Sequence, residues 1–149
     1  MGKAVRQSGL PRSDIFITTK VMYGSGSVEK TYQRVLDSVH KIDGEKGYVD
    51  LFLIHTASGG AKSRKEMWLA LEKLHNEGKA RSIGVSNYGV GHIEEMKHYA
   101  KVWPPMVNQI EVTRPTFLSH SAVLKILTAA SMVSAKGNRN ILQEARHYC

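Results

Sequence analysis

Tyr48-Val49-Asp50-Leu51-Phe52-Leu53-Ile54-His55 is the stretch whose reading decides the fold. It is almost entirely apolar or aromatic and runs into the turn-prone segment Thr56-Ala57-Ser58-Gly59-Gly60, the pattern of a strand buried on both faces. It ends on an imidazole. Parallel sheets and barrels place their chemistry at the carboxyl ends of their strands, so His55 is the first candidate functional residue. A lone histidine is more often structural than catalytic, and its role depends on what else reaches the same level.

Working outward, Asp14-Ile15-Phe16-Ile17-Thr18-Thr19 is rich in β-branched residues and predicts a strand that delivers Lys20 at its carboxyl end. Before it, residues 3 to 8 resemble the tail of an amphipathic helix, broken by Gly9-Leu10-Pro11-Arg12-Ser13. Gly24-Ser25-Gly26-Ser27 is a loop, after which Val28, Tyr32, Val35, Leu36, Val39 and Ile42 recur at helical spacing. Beyond the His55 strand, Met67, Leu71 and Leu74 mark a second long helix, with Trp68 beside them and Gly78 as its C-cap. Arg81-Ser82-Ile83-Gly84-Val85-Ser86-Asn87 predicts a third strand. Val90, Ile93, Met96 and Ala100 give the next helix its apolar stripe, and Trp103-Pro104-Pro105 is placed to stop it. Met106-Val107-Asn108-Gln109-Ile110-Glu111 predicts a fourth strand. Strand and helix thus alternate at roughly 25 to 35 residues per unit, the pattern of parallel βα units joined by right-handed crossovers.

Composition narrows the function. The 149 residues and 42% hydrophobic content suit one soluble globular domain, and no apolar run approaches the ~20 residues of a membrane span. The single cysteine, Cys149, excludes an internal disulfide and a multi-cysteine metal site, which predicts a reducing, cytoplasmic setting. The start, Met1-Gly2-Lys3-Ala4-Val5-Arg6, lacks the apolar core of a secretory signal. The net charge of +8 is spread singly along helices and loops, without a dense basic run interleaved with aromatics. Nucleic acid is therefore not the expected partner.

With these elements laid out, the sequence resembles an aldo-keto reductase. Ser8-Gly9-Leu10-Pro11-Arg12 leading to Ile17-Thr18-Thr19-Lys20 is similar to the family's passage into its catalytic lysine, and Tyr48 to His55 to the strand ending in its catalytic histidine. Gly78 to Asn87 and Val107 to Glu111 resemble the family's fifth and sixth strands. Each motif alone is weak, but four in order across about residues 2 to 117 are specific. The resemblance implies hydride transfer from NADPH to an aldehyde or ketone, the small-molecule partner. It implies that Lys20 and His55 are catalytic and that Ser86, Asn87 and Gln109 bind the nicotinamide carboxamide. The residues by themselves also admit a plainer reading: Lys20 a solvated strand-end cation, Ser86-Asn87 the N-terminal cap of the next helix, Gln109 a satisfied core amide.

Departures from the family pattern set further expectations. The aspartate and proton-donating tyrosine that the resemblance implies have no counterpart in this sequence, and Tyr23 matches instead an aromatic of the substrate cleft. Val112-Thr113-Arg114-Pro115 interrupts the pattern after Glu111, the seventh strand aligns with Leu127 to Gly137 with Ala130 where a stacking tyrosine is expected, and Asn140 to Ala145 resembles the opening of the following helix. The expectation is one domain over 1–149 with a divergent tail at 118–149. Its architecture is a partial (β/α)8 barrel incomplete at both ends, holding about five of eight strands. Along those strands Phe16, Thr18, Leu51, Leu53, Ile83 and Val85 divide between barrel centre and helix layer. An open sheet of this kind exposes edges, which predicts impaired activity and self-association. The alternative function is therefore a non-catalytic chain that acts through association with itself or a longer relative.

Overall fold

The computed structural model describes residues 2–111. The expectations for Val112-Thr113-Arg114-Pro115, Leu127 to Gly137 with Ala130, Asn140 to Ala145 and the tail at 118–149 lie outside the described residues. The described residues form one compact unit.

The order is α1 (Gly2–Gln7), β1 (Thr18–Val21), α2 (Val28–Asp43), β2 (Val49–Ile54), α3 (Gly60–Asn76), β3 (Ala80–Ser86), α4 (Val90–Met96) and β4 (Asn108–Gln109). The four strands form one sheet in the order β1-β2-β3-β4, every pair parallel. Each crossover carries a helix. The expected parallel βα succession, with Lys20 and His55 toward one rim, is what the chain adopts.

Phe52 stands in register with Thr19 on β1 and Ile83 on β3, and Ile54 with Val21 and Val85. Residues paired in this way share a sheet face, and this face joins Val35 and Val39 of α2 and Met67, Trp68, Leu71 and Leu74 of α3 in one buried core. The other face carries the rows Thr18, Leu51, Ser82 and Lys20, Leu53, Gly84. Every residue of β2 is buried, as a strand covered on both faces requires.

Local chemistry explains the boundaries. Ser27 caps α2, its hydroxyl accepting the Lys30 N–H. Gly78, at φ +71°, follows the end of α3 in a conformation that glycine adopts without strain. Three boundaries differ from those expected. Asp14 belongs to a short 3-10 turn, Arg12–Asp14, and ladder pairing starts only at Thr18, because Arg12 takes the Ile15 carbonyl and the Asp50 carboxylate takes the Ile17 N–H. α4 ends at Met96, ahead of Trp103-Pro104-Pro105, as the chain tightens into turns in which Tyr99 and Ala100 donate back to the Met96 carbonyl. β4 is two residues long where six were expected.

At the amino-terminal end of the sheet, the buried Asp50 carboxylate accepts from Arg12 Nη2 at 2.9 Å, Arg81 Nη1 at 3.3 Å and the Ile17 amide at 2.9 Å. The two guanidiniums lie 4.0 and 4.1 Å from the centre of the Tyr48 ring, cation–π contacts that add to the ion pairs. Arg12 also reaches Asp43 at 3.0 Å. Burial works against its charge, but the hydrogen bonds to Asp50 and Asp43 outweigh that and raise its pKa.

Candidate functional site

The opposite, carboxyl-terminal end of the sheet gathers the polar residues singled out in the sequence. β2 hands its chain to His55, whose amide donates to the Val21 carbonyl at 2.8 Å, so pairing with β1 continues one residue past the strand. Lys20 lies on β1 in register with Leu53, two residues before His55. Lys20 is exposed and His55 half-buried; neither the ammonium nor the ring forms a hydrogen bond to a described residue.

On β3 and β4 the contacts are tighter. Ser86 is in register with Gln109 and its hydroxyl donates to the Gln109 carbonyl at 2.8 Å; the Asn87 amide donates to the same oxygen at 3.0 Å. The Asn87 side chain spans the gap to β2. Its Nδ2 lies 3.4 Å from the His55 carbonyl and 3.3 Å from Ser86 Oγ, while its Oδ1 accepts the Glu111 N–H at 3.0 Å. Asn87 has φ +57°, a left-handed conformation that asparagine tolerates better than bulky residues. Ser86, Asn87, Gln109 and the His55 main chain thus form one connected cluster, with Lys20 one strand further along the same rim.

The plainer readings fare unevenly. Ser86-Asn87 does not cap α4, whose N-cap is Gly89, and Gln109 is exposed, not a core amide. Lys20 is solvated, as its plainer reading has it. The expected cofactor donors fit a carboxamide: the Gln109 side chain is uncommitted among the described residues, and the long Asn87 Nδ2 contacts leave that amide partly free to donate. Ser86 is buried at 1% exposure, its hydroxyl donating to the Gln109 carbonyl and lying 3.3 Å from Asn87 Nδ2.

Several charged contacts of α3 went unmarked in the sequence. Arg64 of α3 donates to the Ala57 carbonyl at 2.9 Å, fastening the loop that follows His55, and to Glu95 of α4 at 2.5 Å. That hydrogen bond is the main reason the Glu95 carboxyl is held below its ordinary range. Glu72 accepts from Trp68 Nε1 at 3.0 Å and from the Lys101 and Val102 amides at 2.6 and 2.7 Å, anchoring the approach to β4. The visible signals are spacing and context: Glu72 falls one helical turn after Trp68, and Glu66 beside the apolar stripe of α3. Among the described residues no group of three or more His, Cys, Asp or Glu is arranged to hold a metal ion, and no helix is long and apolar enough to cross a membrane.

Parallel βα units with polar side chains gathered at the carboxyl rim define the class: an arc of a (β/α)8 barrel. Comparison with known proteins makes the class specific. Residues 1–132 match the profile of the aldo/keto reductase family, and the chain belongs to that family. It is 40% identical over 111 residues to the glyoxal reductase of Bacillus subtilis, covering 74% of this chain and 38% of that protein. It is 41% identical over 112 residues to the 9,11-endoperoxide prostaglandin H2 reductase of Trypanosoma cruzi, covering 75% and 38%. Among solved structures, an aldo/keto reductase from Brucella melitensis superimposes with a TM-score of 0.71 at 36% identity over 87% of this chain and 49% of its own. A Bombyx mori aldo-keto reductase in complex with NADP does so with a TM-score of 0.66 at 27% identity, over 86% and 43%. The chain spans 38% of the length of these two curated relatives.

Proposed function

We propose that this chain carries the nicotinamide and carbonyl side of an NADPH-dependent reductase of aldehydes or ketones. The observation that supports this best is the hydrogen-bonded cluster of Ser86, Asn87 and Gln109 reaching the His55 carbonyl at one strand-end rim. Gln109 and Asn87 hold the cofactor carboxamide through side-chain amides, and Ser86 steadies Gln109 from below. NADPH supplies the hydride when bound. The His55 ring and the Lys20 ammonium stand ready to orient the substrate carbonyl and to favour the charge that develops on its oxygen. Glyoxal, for which the Bacillus relative is named, is a suitable first aldehyde. A cytoplasmic setting is part of the same proposal, resting on the single cysteine.

Titration of the purified chain with NADPH, followed by cofactor fluorescence, tests this. Saturable binding is expected, weakened about 5- to 10-fold in Gln109→Ala, the scale of one hydrogen bond at ~1 kcal/mol. An unsaturable signal with the unaltered chain would overturn the proposal.

One observation favours a second, non-catalytic reading through self-association. β1 stands at one edge of the described sheet, and Phe16 before it and Tyr23 after it are 69% and 56% exposed. Unpaired edges flanked by apolar groups recruit further strands. Sedimentation at low micromolar concentration is expected to show dimers or larger species, and a single monomeric boundary would contradict this reading.

A further inference from the structure

We infer that Glu66, which lies on α3 outside the rim cluster, is a positioning residue for the carbonyl substrate, clamping the β1–α2 loop that presents Met22 and Tyr23 beside Lys20. The inference rests on the carbonyl-reductase reading and adds to it a determinant of substrate binding.

The clamp is built from one carboxylate oxygen. Glu66 Oε1 accepts the Ser25 N–H at 2.7 Å, the Gly26 N–H at 3.0 Å and the hydroxyl of Thr31 on α2, while Thr31 Oγ1 also lies 2.7 Å from the Ser25 nitrogen. Glu66 is 8% exposed and Thr31 fully buried. A carboxylate withdrawn from water in this way is costly unless donors satisfy it, and hydrogen bonds to a charged acceptor are about twice as strong as neutral ones. Two of its three donors are main-chain groups of a loop that belongs to no helix or strand. The buried charge is thus directed at fixing that loop.

The loop is shaped around the carboxylate. A Cβ on Gly24 would lie 2.6 Å from Glu66 Oε1, so the chain approaches the carboxylate as closely as only glycine permits. Arg34 of α2 adds a second tether, its Nη1 donating to the Tyr23 carbonyl at 3.3 Å. The segment so held begins two residues after Lys20, just past the carboxyl end of β1, on the rim of the proposed site. It presents Met22 at 39% and Tyr23 at 56% exposure, apolar surface suited to the carbon skeleton of an aromatic or extended aldehyde. The cofactor donors Asn87 and Gln109 are held by β3 and β4, and share no hydrogen bond with the clamp.

That separation makes a test. NADPH binding, 4-nitrobenzaldehyde binding in the presence of NADPH, and amide hydrogen exchange at Ser25 and Gly26 are measured for the full chain, for Glu66→Gln and for Gly24→Ala, which places a methyl where the carboxylate lies. Expected in both variants are NADPH affinity within twofold of the unaltered chain, aldehyde affinity at least fivefold weaker, and exchange at Ser25 and Gly26 at least tenfold faster. Parallel loss of both ligands would show a merely structural role, and unchanged exchange or unchanged aldehyde affinity would show that the clamp does not position substrate. Each of these overturns the inference alone. Failure of the unaltered chain to bind NADPH overturns the reductase reading and the inference with it.

Discussion

Asp50→Ala is expected to lower the unfolding free energy by about 3 to 5 kcal/mol, the cost of removing one partner from a buried ion pair. The carboxylate serves three donors at once, Arg12, Arg81 and the Ile17 amide. Without it the partly buried Arg12 guanidinium keeps Asp43 but loses its shorter ion pair, and the Ile17 N–H is left without an acceptor. Asp50→Asn preserves shape and one acceptor oxygen, so a smaller loss is expected. Urea unfolding followed by far-ultraviolet dichroism measures both. A loss below about 1 kcal/mol for the alanine variant would mean that the Tyr48 ring and Asp43 hold the two arginines without Asp50.

Phe52→Ala is expected to cost about 3 to 5 kcal/mol in the same assay, through lost transfer energy and the cavity left behind. Phe52 is fully buried at the centre of β2, between Thr19 and Ile83 in the sheet and beneath α2 and α3. Against a total stability of about 5 to 15 kcal/mol for an ordinary domain, that is a large fraction. Phe16→Ala provides the contrast. At 69% exposure its removal is expected to change stability by no more than about 0.5 kcal/mol. Equal effects at the two phenylalanines would contradict the placement of Phe52 in the core and Phe16 at the surface.

The sequence made these two phenylalanines look more alike than they are, and the difference shows what patterning reveals. Phe52 sits in the apolar run Leu51 to Ile54, bounded by turn-prone residues, the pattern of a strand buried on both faces. Phe16 sits in a run also rich in β-branched residues, but Arg12 takes the Ile15 carbonyl beside it and Asp50 takes the Ile17 N–H, the second a long-range contact that no local propensity records. α2 was legible nearly to its ends, because its apolar spacing is regular and Ser27 caps it. α4 was read too long, since Ala100 keeps the helical spacing while the backbone has already left the helix. Of the candidate site, Lys20, His55, Ser86 and Asn87 were visible as polar residues at predicted strand ends, and Gln109 only through the family resemblance. The roles of Glu66 and Glu72 were not visible, because the main-chain donors that engage them, Ser25 and Gly26 for Glu66, Lys101 and Val102 for Glu72, lie more than twenty residues away in the chain.

The most direct test of the central claim is where NADPH touches the chain. Backbone amide shifts in a two-dimensional nitrogen–proton spectrum of the isotopically labelled chain, recorded with and without NADPH, give that location. Shifts concentrated at Lys20, His55, Asn87 and Gln109 are expected, with Tyr48, Asp50 and Arg81 at the opposite end of the sheet unmoved. Shifts centred on that opposite end, or none at saturating NADPH, would contradict the assignment of the carboxyl rim as the cofactor site.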